Sequence, residues 1–250
     1  MASPVRSMKD LFSNVSDAYS RFRPEYPSGL FQFLRTEIKE VDIAWDCGTG
    51  TGQIAIPLSR IFTRVHATDI SEQQLQNAPR RENIIYSLKP AEKTDFDPEM
   101  FDLITVGKAI HWYDFDEFFF EVNRTLKPDG LIAVLGYGLI TTDPATQETI
   151  NHLYFNLLGP YWDPERKFID ENYNTIPFPF LEINTPDFTI AVNWNIDELL
   201  GYLRTWSAVQ HYIAATGDDP LKNLLPKLRR TFGNGGEVTF PVLFRLGKKN

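Results

Sequence analysis

The stretch that decides the fold is Val41–Gln53, VDIAWDCGTGTGQ. Val41, Ile43, Ala44 and Trp45 form an apolar run suited to a strand buried on both faces, as in a parallel sheet. The run ends in an acid, Asp46, and then Gly48, Gly50 and Gly52 alternate with small residues before IAIPLSRIF, which reads as a helix. Strand, glycine turn and helix together place backbone amides and a helix N-terminus against a ligand. Glycine suits such a turn because a Cβ would block either a positive φ or the ligand itself.

The spacing narrows the ligand. Dinucleotide sites use G-x-G-x-x-G, but Gln53 stands where the third glycine of that pattern would be. A pyrophosphate calls for amide donors with no carboxylate nearby, whereas an amino-acid ligand carries an ammonium that Asp46 could face. The pattern D-x-G-x-G-x-G resembles motif I of the class I S-adenosylmethionine-dependent methyltransferases.

The rest of the chain reads around this stretch. RVHATDIS (64–71) is a second strand ending in an acid, and Asp69 lies 21 residues beyond Gly48, the separation at which such folds set a carboxylate on ribose hydroxyls. An N-cap is the other reading of a strand-end aspartate, and Ser71 can cap the next helix. NIIYSLK (83–89) is a third strand. DLITV within 101–106 is a fourth, fully apolar after its acid and so central in the sheet. Gly107–Trp112 leaves its C-terminal end, where open α/β sheets bind ligands. Asp114 caps a helix that Pro128-Asp129-Gly130 stops, and GLIAVLGYG is a fifth strand. This alternation over 41–138 predicts a doubly wound parallel sheet. Upstream, Phe12, Val15, Tyr19 and Phe22 follow helical spacing, and Tyr19 and Arg23 share a face. That segment is either an aromatic helix packed on the domain or a lid whose Tyr19 and Arg23 hold a carboxylate.

Composition sets the class. In 250 residues, 42% are hydrophobic and 23% charged, which is ordinary for a soluble globular protein with a sizeable core. The net charge of -8 argues against a nucleic-acid polyanion as the main partner. One cysteine, Cys47, allows no intramolecular disulfide, which fits a reducing compartment. MASPVRSMKD has no apolar core for a signal peptide, and LIAVLGYGLI is too short for a membrane span. A cytoplasmic protein without membrane attachment is expected, as a monomer or homodimer. The four histidines are scattered and no metal-ligand spacing is visible.

Several motifs then occur in matching order: R-P-E-Y-P, D-C-G-T-G-T-G-Q, H-A-T-D-I-S, A-I-H-W-Y-D, R-T-L-K-P-D-G, and later N-Y-N-T-I-P-F-P-F and T-W-S-A-V-Q. Together they resemble the small-molecule methyltransferases related to trans-aconitate methyltransferases and plant embryo-abundant proteins, over nearly the whole chain. The resemblance implies a seven-stranded, mostly parallel Rossmann-like sheet with a helical and aromatic cap. It divides the chain into N-terminal lid helices (1–40), a cofactor-binding core (41–138), cap insertions with an edge strand (139–235) and a terminal strand (236–250). DFTIAVNWN and EVTFPVLFRLG become the last two strands, the final one antiparallel.

S-adenosylmethionine is the implied cofactor, with S-adenosylhomocysteine as product and no metal. Its expected contacts are Tyr19, Arg23, Asp46, Gly48, Gly50, Gly52, Gln53, Asp69, Ile70, Ala91, Glu92 and Lys108, with the Ala91–Glu92 turn lying against the adenine. Expected at a small-molecule acceptor are His111, Trp112, Tyr161, Arg204 and Trp206; the aromatics among them also read as core, and Lys108 also reads as an attractor of acidic substrates. His111 is the one base at the strand-four end; it is the candidate catalytic residue or a structural histidine. The implied reaction is O-methylation of an organic acid, which needs no base because a carboxylate is already ionised. A hydroxyl or amine acceptor would gain from one. A non-catalytic cofactor-binding protein and a nicotinamide oxidoreductase are the rival readings; Gln53 and the lack of a Tyr-x-x-x-Lys pair weigh against the latter. G-K-A-I-H-W in place of an N-P-P-Y turn weighs against methylation of a flipped base.

Overall fold

The computed structural model describes residues 22–249, so Phe12, Val15 and Tyr19 lie outside the described residues. The chain divides into two units. Among the described residues, the first comprises Glu25–Leu139, Glu165–Ile190 and 240–249, and holds most of the sheet. Its helix α1 (Ser28–Glu37) precedes β1 (Ile43–Cys47), α2 (Ala55–Leu58), β2 (Arg64–Asp69), α3 (Glu72–Asn77), β3 (Ile84–Leu88), β4 (Phe101–Gly107), α4 (Phe115–Thr125) and β5 (Leu126–Tyr137). Strands β1–β5 pair in parallel. Order β3-β2-β1-β4-β5 continues into β8 (Gly236–Lys248), antiparallel to β5, and β6 (Leu181–Ile183), antiparallel to β8.

The expected mostly parallel sheet is present, with eight strands among the described residues, since the short β6 forms just past the TIPFPF loop and β7 (Thr189–Trp194) also pairs with β8. The segment 165–190 and α1 belong to the sheet unit. Arg245 shows how that segment is retained. Its guanidinium donates to the carbonyls of Tyr173 and Ile176, each at 2.9 Å, and pairs with Glu182 at 2.7 Å.

Strand β4 is buried along six of its seven residues, as a central parallel strand should be. Its leading acid, Asp102, is held by Lys127 at 2.6 Å and accepts from the Asp42 and Ile43 amides. One sheet face carries Trp45, Cys47, Ile104, Val106, Ile132 and Val134 in a single apolar cluster. The Trp45 ring packs on Phe96 and Phe101, and its indole N–H donates to Thr68 Oγ1 at 2.8 Å, so the largest buried side chain leaves no polar atom stranded. Helix α4 starts where expected: the Asp114 carboxylate accepts from the Asp116 and Glu117 amides.

Among the described residues, the second unit comprises 22–24, Ile140–Pro164 and Ala191–Thr239. It contains α5 (Pro144–Asn151) continuing into a π-helical turn (His152–Leu157), then α7 (Ile196–Arg204), α8 (Ser207–Thr216) and α9 (Leu225–Phe232), while α6 (Arg166–Asp170) belongs to the sheet unit. The run IDELLGYLRTWSAVQHYI is two helices. The Thr205 amide and hydroxyl both turn back to the Tyr202 carbonyl and close α7. No helix among the described residues is long and apolar enough to cross a membrane.

Candidate functional site

The order reversal lies between β1 and β4, whose C-terminal ends open side by side; ligands of open α/β sheets bind at such a switch point. The loop after β1 is left-handed at all three glycines, with φ of 66° at Gly48, 56° at Gly50 and 83° at Gly52. Their surroundings differ. A Cβ at Gly48 would lie 2.3 Å from the Tyr113 hydroxyl and 2.8 Å from Ala109 Cβ. One at Gly52 would lie 2.7 Å from the Tyr86 hydroxyl. At Gly50 the nearest atom would be Gln74 Oε1 at 3.8 Å. Two of the glycines therefore make room for tyrosines of this chain, and Gly50 is the point where the backbone is open to a ligand.

The loop is held from below and from the side. Asp46 is 1% exposed; its carboxylate accepts from the Thr49 hydroxyl at 2.5 Å and the Thr105 hydroxyl at 2.8 Å. Burial pushes its pKa up to about 6, against the pull of those bonds. Asp46 thus faces the loop's own hydroxyls. At the side, Asp69 accepts from the Gly50 amide at 2.8 Å and the Ser71 amide at 2.9 Å. Burial raises its pKa as well, and the two amides work against the rise. Each carboxylate oxygen retains capacity for a further donor.

Around this centre the sheet unit gathers most of the expected residues. Gln53 follows the last glycine. Ile70, 38% exposed, presents an apolar side chain directly after Asp69. Ala91 is buried in the cluster with Cys47 and Trp45. Glu92 and Asp69 are near enough to add to the burial that raises the Cys47 thiol and the Tyr113 phenol far above their ordinary ranges.

Lys108 and His111, three residues apart, lean on opposite faces of the sheet. Lys108 is left-handed (φ 53°), its amide donates to the Leu135 carbonyl at 2.7 Å, and its Nζ sits 3.6 Å from the centroid of the Tyr137 ring. His111, 6% exposed, stacks on Tyr173 at 6.3 Å and 24° and touches Trp112 at 4.9 Å. The Tyr173 ring in turn occupies the space over Gly136. Gly136 and Tyr137 are consecutive on β5 and point to opposite faces, so the lysine and the histidine do too.

The remaining expected residues belong to the second unit. Arg23 lies over the Tyr202 ring at 6.0 Å, Arg204 pairs with Asp219 at 3.2 Å, and Trp206 is buried among Tyr154, Trp162 and Tyr202. Tyr161 packs on Tyr212, and its carbonyl is 2.9 Å from His211 Nδ1. Sequence reasoning missed Thr49, Thr105, Tyr86 and Tyr113. Thr49 carried a usable signal, lying three residues beyond Asp46 in the glycine loop, whereas Thr105 is brought to Asp46 by the β1–β4 register. Among the described residues, no three His, Cys, Asp or Glu side chains are grouped to hold a metal.

A parallel sheet with this switch point, and two acid-ended strands flanking a three-glycine loop, forms an open α/β ligand crevice, and the relatives place it among the class I S-adenosylmethionine-dependent methyltransferases. The chain belongs to that family. The family described as "methyltransferase domain" matches residues 45–134. Over the full length of both chains, the sequence is 33% identical to a protein of Dictyostelium discoideum described as a methyltransferase. A solved structure from Anaeromyxobacter dehalogenans, described as a type II methyltransferase, is 39% identical, covers 90% of this chain and 97% of its own, and has a TM-score of 0.84. Phosphoethanolamine N-methyltransferase 2 of Haemonchus contortus, in complex with S-adenosyl-L-methionine, shares the fold at 18% identity, with a TM-score of 0.51 over all of this chain and 62% of that one.

Proposed function

We propose that this chain transfers the methyl group of S-adenosylmethionine to a carboxylate oxygen of a small organic acid. The observation that carries the cofactor half is Gly50: left-handed, open above, and hydrogen-bonded to Asp69. In this reading Asp69 accepts from the ribose hydroxyls through its remaining lone pairs. Ile70 and the Ala91–Glu92 turn lie along the adenine, and Gln53 and the amides of the glycine loop hold the amino-acid end. Asp46 acts indirectly, by fixing the loop through Thr49 and Thr105. The cofactor, when bound, supplies an electrophilic methyl on a sulfonium sulfur.

Lys108 supports an acidic acceptor. Its ammonium, seated on the Tyr137 ring beside the end of β4, places a positive charge there that favours an anionic acceptor. Its left-handed backbone is an uncommon conformation for a side-chain-bearing residue, of the kind that clusters at functional sites. A carboxylate is ionised at neutral pH, so His111 is not required as a base. The narrower likeness to the trans-aconitate methyltransferase group is part of this proposal and rests on the ordered motifs.

Methyl-labelled S-adenosylmethionine incubated with the protein and a panel of succinate, glutarate and benzoate tests it. A methyl ester releases volatile labelled methanol in alkali, and that is the expected product. Alkali-stable label would mean a hydroxyl or amine acceptor, and a role for His111 as base.

A further inference from the structure

We infer that Tyr113 is a positioning residue that ties the glycine loop to the turn after β4, the turn that carries Lys108 and His111. The inference rests on the reading that this loop takes the cofactor. Ala109 and Tyr113 bracket a single 3-10 turn, Ile110–Trp112. The turn is braced internally, with the Trp112 amide donating to the Ala109 carbonyl at 2.9 Å and the Tyr113 amide to the Ile110 carbonyl at 3.0 Å. Both bracketing residues rest on Gly48, where the Tyr113 hydroxyl and the Ala109 methyl fill the space of the missing side chain. The Cys47 thiol donates to the same hydroxyl at 3.7 Å.

The two ends of the turn are held differently. On the His111 side, Tyr173 is completely buried, takes a left-handed backbone (φ 61°) and has its carbonyl clamped by Arg245. That surface is fixed by the sheet unit's own packing. At the far end of the turn, within the same apolar cluster, the Tyr113 ring is anchored on Phe118 at 5.0 Å while its hydroxyl reaches the loop. Gly48 is two residues from Gly50, so a loop that adjusts to a ligand moves the atom the hydroxyl rests on. A rigid turn resting on that atom at one end shifts as a body, because packed interiors transmit displacement. The thiol and the phenol both stay neutral in this burial, so the contact does not switch by titration.

Trp112 reports on the turn directly. The test is tryptophan emission during titration of S-adenosylhomocysteine into the wild type, Trp112→Phe, Tyr113→Phe and the double variant, with affinity measured in parallel by calorimetry. Subtracting each Trp112→Phe partner isolates the Trp112 response. Tyr113→Phe keeps the ring on Phe118 and removes only the hydroxyl. The expected result is a Trp112 response cut to about a third or less in Tyr113→Phe, with the dissociation constant within about threefold of wild type. A Trp112 response of full size in Tyr113→Phe would overturn the coupling and leave the cofactor reading standing. Failure of the wild type to bind S-adenosylhomocysteine would overturn the cofactor reading and the coupling with it.

Discussion

The Gly50 amide donates a 2.8 Å hydrogen bond to the carboxylate of Asp69, and so fastens the loop after β1 to the end of β2. The bond joins the roomiest of the three loop glycines to the acid proposed to accept from the cofactor ribose. It also means that a change at Asp69 acts twice, through lost contacts to a ligand and through a loosened loop.

Asp69→Ala should weaken S-adenosylhomocysteine binding by about 1–3 kcal/mol, a factor of roughly 5 to 150, because charge-assisted hydrogen bonds are lost. Calorimetric titration measures this directly. An unchanged affinity would remove Asp69 from the site.

Gly50→Ala and Gly48→Ala should separate ligand space from packing space. At Gly50 a methyl meets nothing closer than 3.8 Å, so the cost to stability is the left-handed strain alone, about 1–2 kcal/mol, while the methyl intrudes on the open approach. At Gly48 the same strain is joined by a collision with Tyr113 and Ala109. Thermal melts should therefore show the larger loss for Gly48→Ala. Gly50→Ala should lose affinity for S-adenosylhomocysteine while melting within a few degrees of wild type.

Asp46 sets a pH dependence of unusual sign. Its folded pKa, about 6, lies above the model-peptide value of 3.8, so between about pH 4 and 6 the folded chain binds the extra proton. Stability from this group is therefore present at low pH and falls as pH rises through 6, by about 3 kcal/mol at full ionisation, as an order of magnitude. Asp46→Asn removes that slope. Urea melts at pH 4 and pH 7 should show the variant gaining on the wild type across the interval, and a constant difference would contradict the buried, protonatable acid.

His111→Ala should leave turnover largely intact if the acceptor is a carboxylate. Steady-state rates with the acid panel test this. A loss of about three decades with cofactor affinity preserved would assign His111 the base role.

The sheet was legible because its signals are local: apolar runs ending in acids, a glycine turn and capped helices at Ser71 and Asp114. The five parallel strands follow from alternation alone. The break of the 196–213 run into α7 and α8 was not legible, since Thr205 and Trp206 have no strong breaker chemistry and the turn depends on where the α7 carbonyls lie. At the site, Asp69 and the glycines were visible through their spacing. What each glycine makes room for was not, because Tyr86 and Tyr113 reach the loop from β3 and from the turn after β4, a relationship set by strand order. For the same reason Lys108 and His111, three residues apart in sequence, lie on opposite faces in the fold.

Calorimetric titration with S-adenosylhomocysteine, with NADH as control, tests the central claim most directly. Micromolar binding of S-adenosylhomocysteine, on the order of −8 kcal/mol, and none of NADH is the predicted result. Binding of NADH, or of neither, would contradict the reading of the Asp46–Asp69 loop as a methyl-donor site.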